Sequence, residues 1–316
     1  MNTSLSMFLI LAEELSFSRA AQRAFVTQQC FSDHIKRLEQ KYGTPLVNRR
    51  PKVSLTEAGM ALLESARRIR MIEEGLEKRL AELEGGASGT LRVGITFARA
   101  QLLIPRLFSR FHEKYPGVTL QFECGDTNEL LASLRQNKLD CLVGISAPYD
   151  KALCSIPLCQ EHVSLLVSEQ YLKHYLPERA EQLLSAAPKQ MDLRLLQGLP
   201  IARNLPDSTL SKLLDRFLET NQIVLHSVAA VSEYSIQITL CAQGQVAAFC
   251  PAIVLDDVAR QNKMLPPDNQ IHIFSIAELE ETLRTELLYH ADAYYPAYAR
   301  YFFSVVEEVV QGCYGG

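Results

Sequence analysis

The residues best suited to meet a partner molecule lie close together near the start of the chain. Gln28, Gln29, Ser32, Asp33 and Lys36 share one stretch, and Arg49, Arg50 and Lys52 follow it. Long amides, a hydroxyl and a lysine are the groups that address base edges: Gln pairs with adenine, Ser with several edges, and Lys with guanine or a phosphate oxygen. A cluster of cations nearby can reach phosphates or a minor groove. Asp33 fits less simply, because a carboxylate beside phosphates is repelled unless it accepts from cytosine N4. Any solvated helix face carries such groups, so the surrounding elements must decide.

Signatures of other chemistries are missing. The chain contains no G-x-G-x-x-G, no Walker loop, no H-E-x-x-H and no G-x-S-x-G, and its seven histidines are scattered. Its eight cysteines form no C-x-x-C pair and no ordered Cys/His spacing, so no metal site, cofactor or disulfide framework is expected. Cys241 and Cys250 are the candidates for a thiol switch; a thiol switch and constitutive action with no bound effector are the two alternatives to control by a small molecule.

The elements that must position the polar cluster can be read directly. Leu5 to Leu15, Ser18 to Ala24 and Thr27 to Tyr42 read as three short helices, with Ser18 and Thr27 as N-caps and Gly43 and Pro45 as a stop. Ala20 and Ala21 allow close helix approach, and only Phe25 and Val26 separate the second helix from the third, the tight connection of a helix-turn-helix. At 100° per residue, Phe31, Ile35 and Leu38 form a buried stripe that turns Gln29, Asp33 and Lys36 outward. Leu46 to Thr56 then reads as a β-hairpin with Arg49, Arg50 and Lys52 at its tip.

Charge separates this head from the rest. Up to Arg70 there are 11 Lys and Arg against 6 Asp and Glu, whereas the whole chain of 316 residues is net −4. A basic head on an acidic body suits a head that alone meets a polyanion. No apolar run is long enough for a membrane helix and no basic leader opens the chain, so a cytoplasmic protein with no membrane partner is expected.

From Thr56 to about Glu84 the pattern is helical, with Leu62, Ile69, Leu76 and Leu83 recurring at sevens and Ala66 and Leu80 between them. Such a stripe wants a partner helix, and Gly85, Gly86, Ser88 and Gly89 beyond it read as a flexible hinge that leaves little of the body to cover it. A dimeric coiled coil is therefore expected, presenting two recognition helices to a roughly palindromic double-stranded DNA site. The remainder alternates strand and helix: Thr90 to Ile95, a helix from Ile104 to Pro116, the strand VTLQFECG, a helix in NELLASLRQNKLD and the strand CLVGIS. A similar alternation from Val163 to Ala297 makes two α/β lobes with parallel strands.

The stretch from Phe8 to Gly59 closely resembles the DNA-binding domain of LysR-type transcriptional regulators. The resemblance rests on SFSRAA, a VTQ helix ending IKRLE, a G-x-x-L entry to the wing, and LTEAG opening the next helix. TLRVGI with LLIPRLFSRFHEKYPGV, ELLASLRQNKLDCLVG and AQGQVAAFCP are similar to the family's effector domain. The resemblance implies an α/β chain: a winged helix-turn-helix (1–59), a linker helix and hinge (60–89), and a two-lobed periplasmic-binding-protein-like effector domain (90–316). Lobe I is expected over about 90–161 and 272–316, and lobe II over 162–271. It further implies base reading by Thr27, Gln28, Gln29 and Ser32, and homodimers that usually pair into homotetramers.

Positions carried over for the effector are Thr96, Phe97, Ala98, Arg99, Thr127, Ile145, Asn204, Pro206, Ser208 and Glu233. Arg99 and Glu233, if they face each other across the cleft, would recognise the two ends of an amino-acid-like effector, or an anionic one; the same two residues could equally be solvated surface charges. The chain departs from the family pattern at Gln29, Cys30, Phe31 and Asp33, in a slightly short wing, and at Val246, where a second glycine is usual.

Overall fold

Three helix caps set out the head. A computed structural model describes residues 2–84 and 88–314, so Gly85 and Gly86 of the expected hinge lie outside the described residues. The chain divides into two units, Met1–Ala87 with Asp292–Pro296, and Ser88–Ala291 with Ala297–Gly316. In the first unit, α1 (Thr3–Glu14) starts at Asn2, whose side chain accepts from the Ser4 N–H. Helix α2 (Phe17–Arg23) is capped by Ser16, not by Ser18 as the sequence suggested. Ser18 instead donates to Gln28 Oε1 at 3.1 Å. Helix α3 (Gln28–Tyr42) is capped by Thr27 and ends at Gly43 with φ 66°, as expected.

Phe31, Ile35 and Leu38 turn inward to meet Phe8, Leu11, Ala20 and Ala21 in one apolar core. Strands β1 (Val47–Asn48) and β2 (Ser54–Leu55) pair antiparallel as the wing. Thr56 ties the wing to the next helix: its hydroxyl donates to Pro45 O at 2.8 Å and accepts from Gly59 N–H at 3.0 Å. A β-carbon at Gly59 would strike the Leu46 carbonyl, so a glycine is needed where this helix crosses the wing.

Helix α4 (Glu57–Leu83) buries Ala66 in that core but leaves Ile69, Ile72, Leu76, Leu80 and Leu83 between 40 and 76% exposed. It is not bare on every side. Gly75 lies against Tyr294, and Tyr294 also hydrogen-bonds Glu82, so the 292–296 segment covers a face that the sequence reading left open.

In the second unit, β3 (Gly89–Thr96), α5 (Phe97–Lys114), β4 (Val118–Gly125), α6 (Thr127–Arg135) and β5 (Cys141–Ile145) form the expected alternation, with β3 parallel to β4 and β5. Helix α5 begins earlier than expected and carries Pro105 inside it. Strand β6 (Leu153–Glu161) leads into the second lobe, which comprises β7 (Val163–Ser168), α7 (Glu169–Tyr175), α8 (Pro177–Ser185), β8 (Gln190–Met191), β9 (Pro200–Arg203), α9 (Thr209–Thr220), β10 (His226–Ala230), α10 (Tyr234–Ala242), β11 (Ala247–Pro251), α11 (Leu255–Asn262) and β12 (Ile271–Ile276). Strand β13 (Leu283–His290) and α12 (Ala297–Tyr314) complete the first lobe.

The sheets run β4-β3-β5-β13-β6 and β10-β9-β11-β7-β12-β8. Because β12 pairs with β7 from Ile271 to Ser275, the chain returns to the first lobe between Ile276 and Leu283, not at 272. Not every strand is parallel: β13 runs antiparallel to β5 and β6, and β7 antiparallel to β11 and β12.

Candidate functional site

The polar cluster of the head sits where its helix periodicity put it. With Phe31, Ile35 and Leu38 buried, Gln28, Gln29, Asp33 and Lys36 are exposed and Ser32 is half-buried on one side of α3. Thr27 accepts from Cys30 N–H at 3.2 Å, which starts the helix at Gln28 and holds both glutamines at its open end. Ser18 occupies the Gln28 carbonyl oxygen, leaving the amide nitrogen to donate to a partner.

The wing cations are not equivalent. Arg49 Nη2 lies 3.3 Å from Glu39 Oε2, and its guanidinium covers the Phe17 ring at 5.5 Å. The other Glu39 oxygen accepts from Leu46 N–H at 3.0 Å, so Arg49 braces the root of the hairpin against α3. Arg50 and Lys52 are exposed at its tip.

The second unit holds a narrow cavity of about 30 Å³ between its lobes. Thr96, Phe97, Ala98, Thr127 and Ile145 line it from the first lobe, and Asn204 and Ser208 from the second, which brings together seven of the expected residues. Asp126, Thr209, Leu210, Ser232, Tyr234 and Leu283 also line it and were not anticipated. The signal for Asp126 and Thr209 was available: each adjoins a residue that was singled out. Pro206 is exposed and lies outside the lining, as does Glu233.

Helices α5, α6 and α10 all start at this cavity without a side-chain cap, whereas Ser208 caps α9 by accepting from Ser211 N–H at 3.2 Å. Uncapped first turns present N–H groups and positive helix ends to whatever enters. At the start of α6 itself, burial pushes the Asp126 carboxyl above the usual range, aided by Glu129 and Asp207 and opposed by Lys212. Burial likewise raises the Tyr234 phenol, so it stays protonated and able to donate. Thr127 ties the floor together by accepting from Ile145 N–H at 3.0 Å.

Arg99 departs from the expected role. It is fully buried and ion-paired with Glu161, also fully buried, while its Nη2 donates to Thr285 Oγ1 at 2.6 Å. Thr285 in turn donates to Glu161 Oε1 at 2.6 Å, and Glu161 Oε2 accepts from Ile253 N–H at 3.2 Å. Arg99 belongs to the first lobe, Glu161 ends the crossing strand and Ile253 lies in the second lobe, so this network pins the lobes together behind the cavity. Arg99 is thereby turned to Glu161 and Thr285, and Glu233 lies outside the cavity lining. A side chain in the first turn of α5 points back toward the sheet, where the crossing strands supply the carboxylate. Glu161, an acid placed between two apolar strand runs, was the sequence signal for it.

The eight cysteines are free thiols. Cys241 and Cys250 are buried, and burial pushes the Cys241 thiol up to about 12 and raises Cys250 further. Both therefore stay protonated near neutral pH, which opposes thiolate chemistry. No described helix is long and apolar enough to cross a membrane.

Comparison with known proteins matches residues 3–60 to the family described as "Bacterial regulatory helix-turn-helix protein, lysR family", and residues 84–311 to "LysR substrate binding domain". A "HTH-type transcriptional activator CmpR" of Synechocystis sp. is 33% identical over 143 residues, 45% of this chain and 46% of that protein. A "Hydrogen peroxide-inducible genes activator" of Dickeya chrysanthemi is 31% identical over 169 residues, 53% of this chain and 55% of that one. The chain thus spans about half the length of these curated relatives. The solved structure of ArgP from Mycobacterium tuberculosis superposes with a TM-score of 0.69 over 98% of this chain and 97% of that one, at 17% identity, a likeness of fold.

Proposed function

Because this chain belongs to the LysR family, we propose that it is a DNA-binding transcriptional regulator whose output is set by a small molecule held between the lobes of its second unit. The observation that carries this reading is the exposed row Gln28, Gln29, Asp33 and Lys36 at the start of α3, beside a hairpin tip bearing Arg50 and Lys52. Side chains on the α3 row address base edges in a major groove while the hairpin reaches the backbone. Arg49 acts by bracing the hairpin, and Asp33 accepts from a cytosine amine.

The protein is read as a binding protein, not an enzyme. What supports this is the family match, which describes a regulatory helix-turn-helix protein followed by a substrate binding domain. The effector is an amino-acid-like or anionic molecule: its carboxylate meets the uncapped starts of α5 and α10, and an amine meets Asp126. A cavity of about 30 Å³ holds little more than water. Binding must therefore widen it, and the ligand then favours one lobe arrangement over another, which is the linkage that control requires. The exposed stripe from Ile69 to Leu83 supports dimerisation through α4, with pairs of dimers as the higher assembly.

Binding to the DNA upstream of its own gene across a salt series tests this. Gln28→Ala is expected to lose about 1–3 kcal/mol of discrimination between sites. Arg50→Ala should weaken all sites alike and lower the salt slope by about one. Leu76→Glu should reduce the footprint to a half-site. Equal affinity for every sequence, in this DNA and in random-sequence selection, would refute the reading.

A further inference from the structure

The turn between α2 and α3 breaks a local rule that nothing within the chain repays. Ala24 caps α2, and the next two amides fold back, Phe25 N–H to Gln22 O and Val26 N–H to Ala21 O, both at 3.1 Å. This double closure puts the first residue past the cap in the left-handed region, and Phe25 has φ 55°. Glycine or asparagine suits that position, because a side chain crowds the following carbonyl there. Packing does not compensate. The Phe25 ring is 95% exposed, more than any other large apolar side chain among the described residues.

A bulky aromatic in strained backbone, held in water, has its cause outside the folded chain. Its position says where to look. Phe25 stands two residues before the Thr27 cap, in the turn that leads directly into the exposed Gln28 and Gln29. The exposed apolar stripe that serves self-association lies elsewhere, on α4.

We propose that Phe25 is a specificity-determining residue that packs against the C5-methyl of a thymine at the edge of each half-site. The thymine methyl is the apolar feature of the major groove, and a phenyl ring at the open end of a reading helix gains by covering it. A polar residue suited to the turn would ease the backbone and lose this contact. The inference rests on α3 being the DNA-reading helix.

Sites selected from random DNA by the full-length wild-type protein, Phe25→Asn and Gln28→Ala test it. Phe25→Asn is expected to melt no lower than wild type and to lose a thymine preference at one position per half-site. Replacing that thymine by uracil removes only the methyl, and should weaken wild type about fourfold and leave Phe25→Asn unchanged. The proposal is overturned if Phe25→Asn selects the same sites, or if uracil weakens both proteins equally. Normal DNA binding with lost transcription would assign the ring to a protein partner and overturn it also. If Gln28→Ala loses selectivity while Phe25→Asn does not, only this inference falls; if wild type selects nothing, the reading beneath it falls too.

Discussion

The head and the cleft place their candidate residues by opposite means. In the head, Gln28, Gln29 and Lys36 lie on one short helix, and the stripe Phe31, Ile35 and Leu38 alone determines which way they face. In the cleft, Thr96, Asp126, Ser208 and Tyr234 come from four separate segments. Which of their neighbours face the cavity is settled by the sheets and the two crossings. Arg99 shows the difference: a cation in the first turn of α5 goes to Glu161 and Thr285 behind the cavity, not into it. Surface chemistry on a regular helix survives translation from sequence to structure; chemistry assembled across lobes depends on partners far along the chain.

The largest expected effect tests that contrast directly. Glu161→Leu leaves the buried Arg99 guanidinium without its carboxylate and should cost about 3–5 kcal/mol, measured by urea unfolding with hydrogen exchange read in β6 and β13. Combining it with Arg99→Met should restore most of that loss, since two apolar groups replace the pair. Gln28→Ala, on the exposed head, should change stability by less than about 0.5 kcal/mol. Similar costs for the two single variants would erase the contrast.

A smaller effect comes from the ligand. An amino acid or small carboxylate at a hundred times its dissociation constant should stabilise the second unit by about 2.7 kcal/mol, seen as a thermal shift. Protection from hydrogen exchange should rise at the starts of α5 and α10 and stay unchanged in α3 for the protein free of DNA. A panel in which no such compound shifts the melting point would make the cleft a structural remnant.

The smallest effect is the pH response of Asp126. Its carboxyl is held above the usual range, chiefly by burial, so the folded state binds this proton more tightly than the unfolded chain does. Stability from this group is therefore full at low pH and declines as pH rises from the ordinary carboxylate range through the raised value. Asp126→Asn should flatten that slope in a melting series; an unaltered slope would place the titration elsewhere.

Much of the architecture was legible along the chain. The caps Thr27 and Gly43, the wing, the 27-residue linker helix and the strand–helix alternation all announce themselves through local periodicity and turn chemistry. The Ser16 cap was misread as Ser18 because two serines flank the same helix start, and side-chain direction alone distinguishes them. The cover over α4 by Tyr294 was invisible, since it comes from a segment more than two hundred residues later.

By itself the sequence determined the basic head, the outward face of α3, the apolar stripe of α4 and the two-lobed α/β body, because each depends on neighbours within a few turns or strands. Only the tertiary structure decided that β12 stays in the second lobe, that Arg99 pairs with Glu161, and that Asp126 and Tyr234 line the cavity. Each of these is a choice of long-range partner, and a buried charge or an inner strand takes whichever partner the whole fold brings within hydrogen-bonding distance.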